Sequence, residues 1–276
     1  MVAESRVAQH YGNAGIAERI LAALREANGA AAQVTVEALS VMDHFHGRGV
    51  VATEELVELL KPQPHEKVLD IGSGIGGPAR WIAAKCGCRV TGVDLTAAFC
   101  EAARSLNATT GLAGRITIIE GSALALPLPD GAFDCAYSQN VAMNIADKLG
   151  MYREAFRALR PGGRLALSNL CAGARGDLHY PVPWAETPAT SFLAKPAEMR
   201  ADLLAAGFEI ISFRDTTAET LPATIRNRQR LDRDGLPRLG THLIMGERLL
   251  QMQLNSARNV EEGRAATIEA LLRKPG

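Results

Sequence analysis

A net charge, a long apolar run and a cysteine framework are all missing from this chain, and each absence narrows what it can be. Thirty basic side chains are cancelled by thirty acidic ones, so no overall field recruits nucleic acid or an anionic membrane. No apolar stretch is long enough for a membrane span, and no N-terminal signal peptide is visible. Five cysteines, an odd number without framework spacing, read as free thiols of a reducing compartment. Cys86-Gly87-Cys88 falls at a helix–strand junction and reads as part of it, with no metal expected. The expectation is a soluble, cytoplasmic protein with neither a nucleic acid nor a membrane as partner. Its 276 residues, 47% of them hydrophobic, fill the core of one domain with appendages.

What is present is organised around Val68-Leu69-Asp70-Ile71-Gly72-Ser73-Gly74-Ile75-Gly76-Gly77. Val68 to Ile71 is an apolar run suited to a buried parallel strand. The glycines that follow permit positive φ and let a ligand approach bare backbone. Pro78 then suits the first turn of a helix. A cofactor at the end of a first strand is the natural reading.

Gly72, Gly74 and Gly77 also satisfy the dinucleotide pattern, with Asp94 as the downstream acid. Asp70 decides between cofactors. A carboxylate two positions before the first glycine would repel a pyrophosphate, yet it suits a ligand with an ammonium and a sulfonium. That ligand is S-adenosylmethionine. Asp70 is therefore expected beneath the turn, in reach of its backbone N–H groups and of the ammonium. A nicotinamide-dependent oxidoreductase and a non-catalytic binding module are the competing readings.

The segment 68–77 resembles motif I of the class I S-adenosylmethionine-dependent methyltransferases. Gly76-Gly77-Pro78-Ala79-Arg80-Trp81 resembles the small-molecule branch with the sarcosine/dimethylglycine N-methyltransferases. The resemblance implies an α/β fold: a Rossmann-like, seven-stranded, mostly parallel sheet with helices on both faces. It also implies an N-terminal helical lid, residues 1–60, before a methyltransferase domain, 61–276. Residues 171–195 and 215–262 would be insertions on the substrate side, the first of them following the fifth strand.

In chain order, Ile16, Ile20, Leu21 and Leu24 recur at helical spacing, and Val34 to Met42 reads as a short second helix. Thr53 suits the N-cap of a helix over 54–60. Between them, His46 is the candidate imidazole near the transferring methyl, Phe45 packs beside it, and Tyr11 matches a position where relatives bring a tyrosine. Arg89 to Asp94 reads as the second strand. By resemblance Asp94 holds a ribose diol, Leu95 the adenine face, and Ser122 and Ala123 the adenine edge. The remaining cofactor contacts are assigned to Asp70, Gly72, Ser73, Gly74 and Gly76, and to Ser138 and Gln139 at the tip of a fourth strand from Phe133.

Asn140 and Asn144 follow on the catalytic face. Many relatives carry histidine at the position of Asn144; an amide orients by hydrogen bonds and cannot serve as a base. A helix from Lys148 should stop at Arg160-Pro161-Gly162-Gly163, before a fifth strand from Arg164. Tyr180-Pro181-Val182-Pro183-Trp184 is aromatic and too long for a routine connection, so Tyr180 and Trp184 are expected against substrate. Residues 196–206 read as a helix, 208–214 as a sixth strand and 241–260 as helical. For 265–273 local propensity favours helix, whereas the resemblance favours a last antiparallel strand beside the fifth; the strand is chosen. With Asn144 in place of histidine, the acceptor is expected to be an amine or similar small nucleophile that needs little base.

Overall fold

The structure is a computed structural model that describes residues 2–11, 14–29, 31 and 33–276. Four helices come first: α1 (Val2–Tyr11), α2 (Ile16–Asn28), α3 (Val36–Asp43) and α4 (Val50–Leu60). Then β1 (Lys67–Ile71), α5 (Gly77–Cys86), β2 (Arg89–Asp94), α6 (Ala97–Thr109), β3 (Ile116–Glu120) and β4 (Phe133–Gln139) alternate as expected of a parallel sheet. The second half contributes α7 (Lys148–Ala158), β5 (Leu159–Ala172), α8 (Pro196–Ala205) and β6 (Glu209–Asp215). It closes with α9 (Thr217–Asp234), α10 (His242–Met245), α11 (Leu249–Glu261) and β7 (Ala265–Arg273).

The seven strands lie in the order β3-β2-β1-β4-β5-β7-β6. All neighbours are parallel except β7, which runs antiparallel to β5 and β6. The strand order therefore reverses between β1 and β4, and ligands of such sheets bind outside the carboxyl ends at that point. β1 carries Val68, Leu69 and Ile71 with no exposed surface because both faces of the sheet are covered. One core lies under α7 and α8, the other under α4, α5 and α6.

Several elements depart from the sequence expectation. Helix α4 begins at Val50, not beyond Thr53; Thr53 is fully buried inside it and donates to Gln139 Oε1 at 3.2 Å. The apolar pattern of Val50, Ala52 and Leu56 carries the helix upstream, and Gly49 at φ 54° supplies the entry. Arg160-Pro161-Gly162-Gly163 does not stop α7. Leu159 already pairs with Phe133, and 160–163 form a register shift inside β5. The helix expected over 241–260 is broken at Gly246. Segment 265–273 is a strand despite its helical propensity, since β5 and β6 supply ladders on both sides.

Gly77 is where the N-terminal helices meet the domain. A Cβ there would sit 2.1 Å from the carbonyl oxygen of Asp43, so only glycine lets α3 and α5 pack this closely. Asp43 and Arg80 fasten the same contact from within. Arg80 Nη2 donates to Asp43 Oδ2 and to the Ile75 carbonyl, both at 2.8 Å, and Nη1 donates to Asn107 Oδ1 at 2.9 Å. Burial alone would raise the Asp43 carboxyl, but Arg80 and His44 outweigh it and hold it below its usual range.

Candidate active site

The glycine turn at the end of β1 is held from β2. The N–H groups of Gly72 and Ser73 both donate to the Val93 carbonyl, at 2.8 and 3.1 Å. Gly74 N–H donates to Asp94 Oδ2 at 2.7 Å, and Thr96 N–H to Asp94 Oδ1 at 2.9 Å. Asp94, not Asp70, organises the turn. The expectation that Asp70 does so is corrected, because the turn curls towards the strand tip beside it. Asp70 is 2% exposed, and its Oδ2 has no hydrogen-bond partner among the described residues. Burial, reinforced by the negative charge of Asp94, pushes its carboxyl up to about 7, against the opposing hydroxyl of Tyr137. Burial also raises Asp94, opposed by the N–H groups it accepts.

A cavity of about 280 Å³ opens above this turn. Of the residues assigned to a cofactor, Asp70, Gly72, Ser73, Gly74, Asp94 and Leu95 line it, as do Ser122, Ala123 and Gln139. Tyr11, Phe45, His46, Asn140 and Asn144 line it as well. Four assigned residues do not. Gly76 caps α5 at φ 79° and faces Arg80 and Ala103. Ser138 is fully buried and donates to the Ile71 carbonyl at 2.9 Å. Tyr180 and Trp184 pack with Met143, Val182 and Leu193 in a separate cluster, where Trp184 is 3% exposed and donates to Ser191. The aromatic loop thus buries its rings in its own core, and the expectation that they meet substrate is corrected.

Sequence reasoning missed Glu4, Asp43, Thr96 and Phe99 in the lining. Phe99 lay one helical turn beyond Leu95 and was a legible signal. Glu4 was not, since only the fold brings α1 across the cavity. Glu4 Oε1 accepts the hydroxyl of Ser122, a bond that lowers the Glu4 carboxyl. At the other end of α1, Tyr11 hydroxyl donates to Asn144 Oδ1 at 3.3 Å, and Asn144 Nδ2 donates to the Trp184 carbonyl at 2.8 Å. Asn144 is therefore a tether between α1 and the 171–195 loop. Beyond these two bonds its amide still has one N–H and one lone pair, and it lines the cavity.

The lining is electrically one-sided. Glu4, Asp43, Asp70, Asp94 and Asp147 all contribute to it, and no lysine or arginine does among the described residues. Asp43 is neutralised by Arg80; Asp70 is not paired.

A second cavity of about 640 Å³ adjoins the first and shares Phe45, His46 and Asn140 with it. His46 thus sits at the junction. Its Nε2 lies 3.4 Å from Thr53 Oγ1, which in turn is 3.2 Å from Gln139 Oε1. Nδ1 is buried without a partner. Burial, with the positive fields of His44 and Arg48, pushes this imidazole down to about 3. His44 beside it is held at Nδ1 by Asp43 Oδ1 at 2.8 Å.

A glycine turn at the switch point of this sheet, with an antiparallel seventh strand, defines a Rossmann-like methyltransferase fold. Residues 69–167 match the family described as a methyltransferase domain. The chain is 36% identical over 139 residues to methyltransferase GfsG of Streptomyces halstedii, covering 50% of this chain and 49% of that one. To the sarcosine/dimethylglycine N-methyltransferase of Halorhodospira halochloris it is 31% identical over 170 residues, 62% of this chain and 61% of the relative. The chain spans about half the length, or less, of the first curated relatives it matches. Among solved structures, a geranyl diphosphate methyltransferase in complex with GPP and sinefungin superposes with a TM-score of 0.71 at 19% identity, covering 99% of this chain and 100% of that one. The [4+2]-cyclase SpnF superposes with a TM-score of 0.66 at 23% identity, covering 82% and 81%. At these identities the structures speak for the fold. Residues 69–167 thus carry a methyltransferase domain on a Rossmann-like fold, and the chain is similar to methyltransferases of small molecules.

Proposed function

We propose that the protein transfers a methyl group from S-adenosylmethionine to a small-molecule nucleophile. The observation that carries this reading is the acidic lining of the first cavity, with no lysine or arginine among the described residues and with the unpaired Asp70 oxygen at the switch point. A dinucleotide would set its pyrophosphate against these carboxylates with no cation to offset them. A cofactor bearing a sulfonium and an ammonium meets the reverse situation. Asp70 would receive the ammonium. Each oxygen of Asp94 accepts one backbone N–H and keeps a lone pair for a ribose diol. Leu95 and Phe99 offer an adenine face, with Ser122, Ala123 and Glu4 at its edge.

Methyl transfer from a sulfonium is an in-line displacement, to which the protein contributes positioning and exclusion of water. The helix α1, tethered at both ends, roofs the cavity and does the second. His46 at the junction presents an unpartnered ring nitrogen, Nδ1, to the acceptor molecule, while its suppressed basicity makes it a poor store for a proton. Together with the engaged Asn144, this supports an acceptor that is nucleophilic without a strong base; an uncharged amine is one such group. Incubation with isotopically labelled S-adenosylmethionine and a metabolite extract tests the reading. Label should pass to a small molecule, and this transfer should fall at least about tenfold in Asp70→Asn. Label that never leaves the cofactor, although the cofactor binds, points to a binding module instead.

A further inference from the structure

The two adjoining cavities carry opposite electrical character. The first has carboxylates and no cationic arginine or lysine, whereas the lining of the second has no carboxylate among the described residues and includes Arg48 and Arg230. The nearby acids are already engaged: Glu55 and Glu269 flank Arg48, and Glu261 and Asp232 are held by Arg228. Much of the remaining wall is hydrocarbon, from Phe45 and Val50 to Leu170, Leu231, Leu249 and Val260.

Three threonines of the floor are satisfied among themselves. Thr216 Oγ1 donates within 3.2 Å of both the carbonyl and the hydroxyl of Thr267, and Thr220 Oγ1 lies 3.1 Å from Thr267 Oγ1. Elsewhere the lining keeps a few buried polar atoms without a partner, the Asn169 amide, His44 Nε2 and His242 Nδ1. Phe45, the one phenyl ring in the lining among the described residues, is too little for a cation cage, which uses several electron-rich rings. A volume of about 640 Å³ falls in the range of about 300–1,000 Å³ that encloses drug-sized molecules.

We infer that the second cavity is the acceptor chamber and that it selects an uncharged, largely hydrocarbon molecule over a protonated amine. This rests on the methyltransferase reading and sharpens it. Moving an ammonium from water into a chamber whose lining has no carboxylate to receive it among the described residues is unfavourable; Arg230 adds a like charge, while Arg48 is offset by Glu55 and Glu269. An uncharged chain of the same shape loses only ordered water. The guest's polar group has buried, unpartnered atoms to meet at and beside the junction: His46 Nδ1, His44 Nε2 and the Asn169 amide.

Farnesol and farnesylamine isolate the variable, since they share a hydrocarbon chain and differ in charge near neutral pH. Each is titrated calorimetrically into the protein saturated with S-adenosylhomocysteine, after the nucleoside's own binding has been measured. Farnesol should bind at least about tenfold more tightly than farnesylamine. Ala257→Trp and, separately, Ala223→Trp place an indole in the chamber, and either folded variant should lose farnesol while keeping S-adenosylhomocysteine. Equal or tighter binding of farnesylamine overturns the inference. So does no binding of farnesol, or binding that neither tryptophan disturbs. Failure of S-adenosylhomocysteine to bind strikes the cofactor reading instead, and the two alcohol-against-amine titrations are then run on the protein alone with the same criteria.

Discussion

Two carboxylates on consecutive strands, Asp70 of β1 and Asp94 at the tip of β2, are neighbours with different tasks. Asp94 is spent on the backbone of the glycine turn and on its own helix start. Asp94→Ala should therefore weaken S-adenosylhomocysteine by about 2–3 kcal/mol and also loosen the turn, read as lower affinity in calorimetry and faster amide exchange at Gly74. Unchanged affinity would remove Asp94 from the site. Asp70 is buried without a counterion, and its carboxyl rises from 3.8 to about 7. A raised folded-state value means that the native protein holds the proton longer than the unfolded chain does. Its contribution is complete below the unfolded value and disappears as pH climbs through about 7. His46, depressed to about 3, works oppositely: its contribution is complete above its unfolded value of 6.5 and is lost as pH falls through about 3. Comparing Asp70→Asn with the native sequence cancels His46. The variant should gain stability relative to the parent between about pH 4 and about pH 7, measured by urea unfolding without cofactor. A difference independent of pH would show that Asp70 is already ionised and paired.

At the scale of elements, the chain is stitched across the site by its least periodic parts. Helix α1 reaches Ser122 through Glu4, Pro183 through His10 and Asn144 through Tyr11. Asn144 passes the connection on to the loop that carries Trp184. Because that indole is buried among Met143, Val182 and Ala185, Trp184→Ala should cost about 3–5 kcal/mol of stability and leave cofactor affinity within a few-fold. Thermal unfolding and calorimetry check this; a raised KM for acceptor at unchanged stability would restore the ring to the substrate. The β1–turn–α5 segment and the strand tips were legible because the signal is local: a short apolar run, glycines, and an acid at a fixed offset. The loop was not, since an aromatic run reads alike whether its rings face a ligand or one another. Thr53 misled for a related reason. A threonine before acids suits an N-cap, but the apolar residues upstream and the partner Gln139, eighty-six residues away, pulled it into the helix.

Over the whole molecule, neutrality conceals a division of charge. Thirty acids and thirty bases leave no net field, yet one cavity gathers carboxylates and its neighbour excludes them. Composition could not show this, because it depends on which ends of which elements converge. No helix among the described residues is long and apolar enough to cross a membrane. The seven-stranded, mostly parallel sheet and the antiparallel β7 beside β5 followed from resemblance and were met in the structure, against the helical propensity of the last segment. The central claim is that the first cavity is built for a cationic, phosphate-free cofactor whose ammonium completes Asp70. Titrating S-adenosylhomocysteine calorimetrically from about pH 5.5 to about pH 8.5 tests it most directly, on the native sequence and on Asp70→Asn. An ionised Asp70 is the form that attracts the ammonium, so affinity should rise with pH through about 7 and then level off. Asp70→Asn should bind more weakly at the upper end and show a flat profile. A native profile that is flat and unaltered by Asp70→Asn would contradict the account.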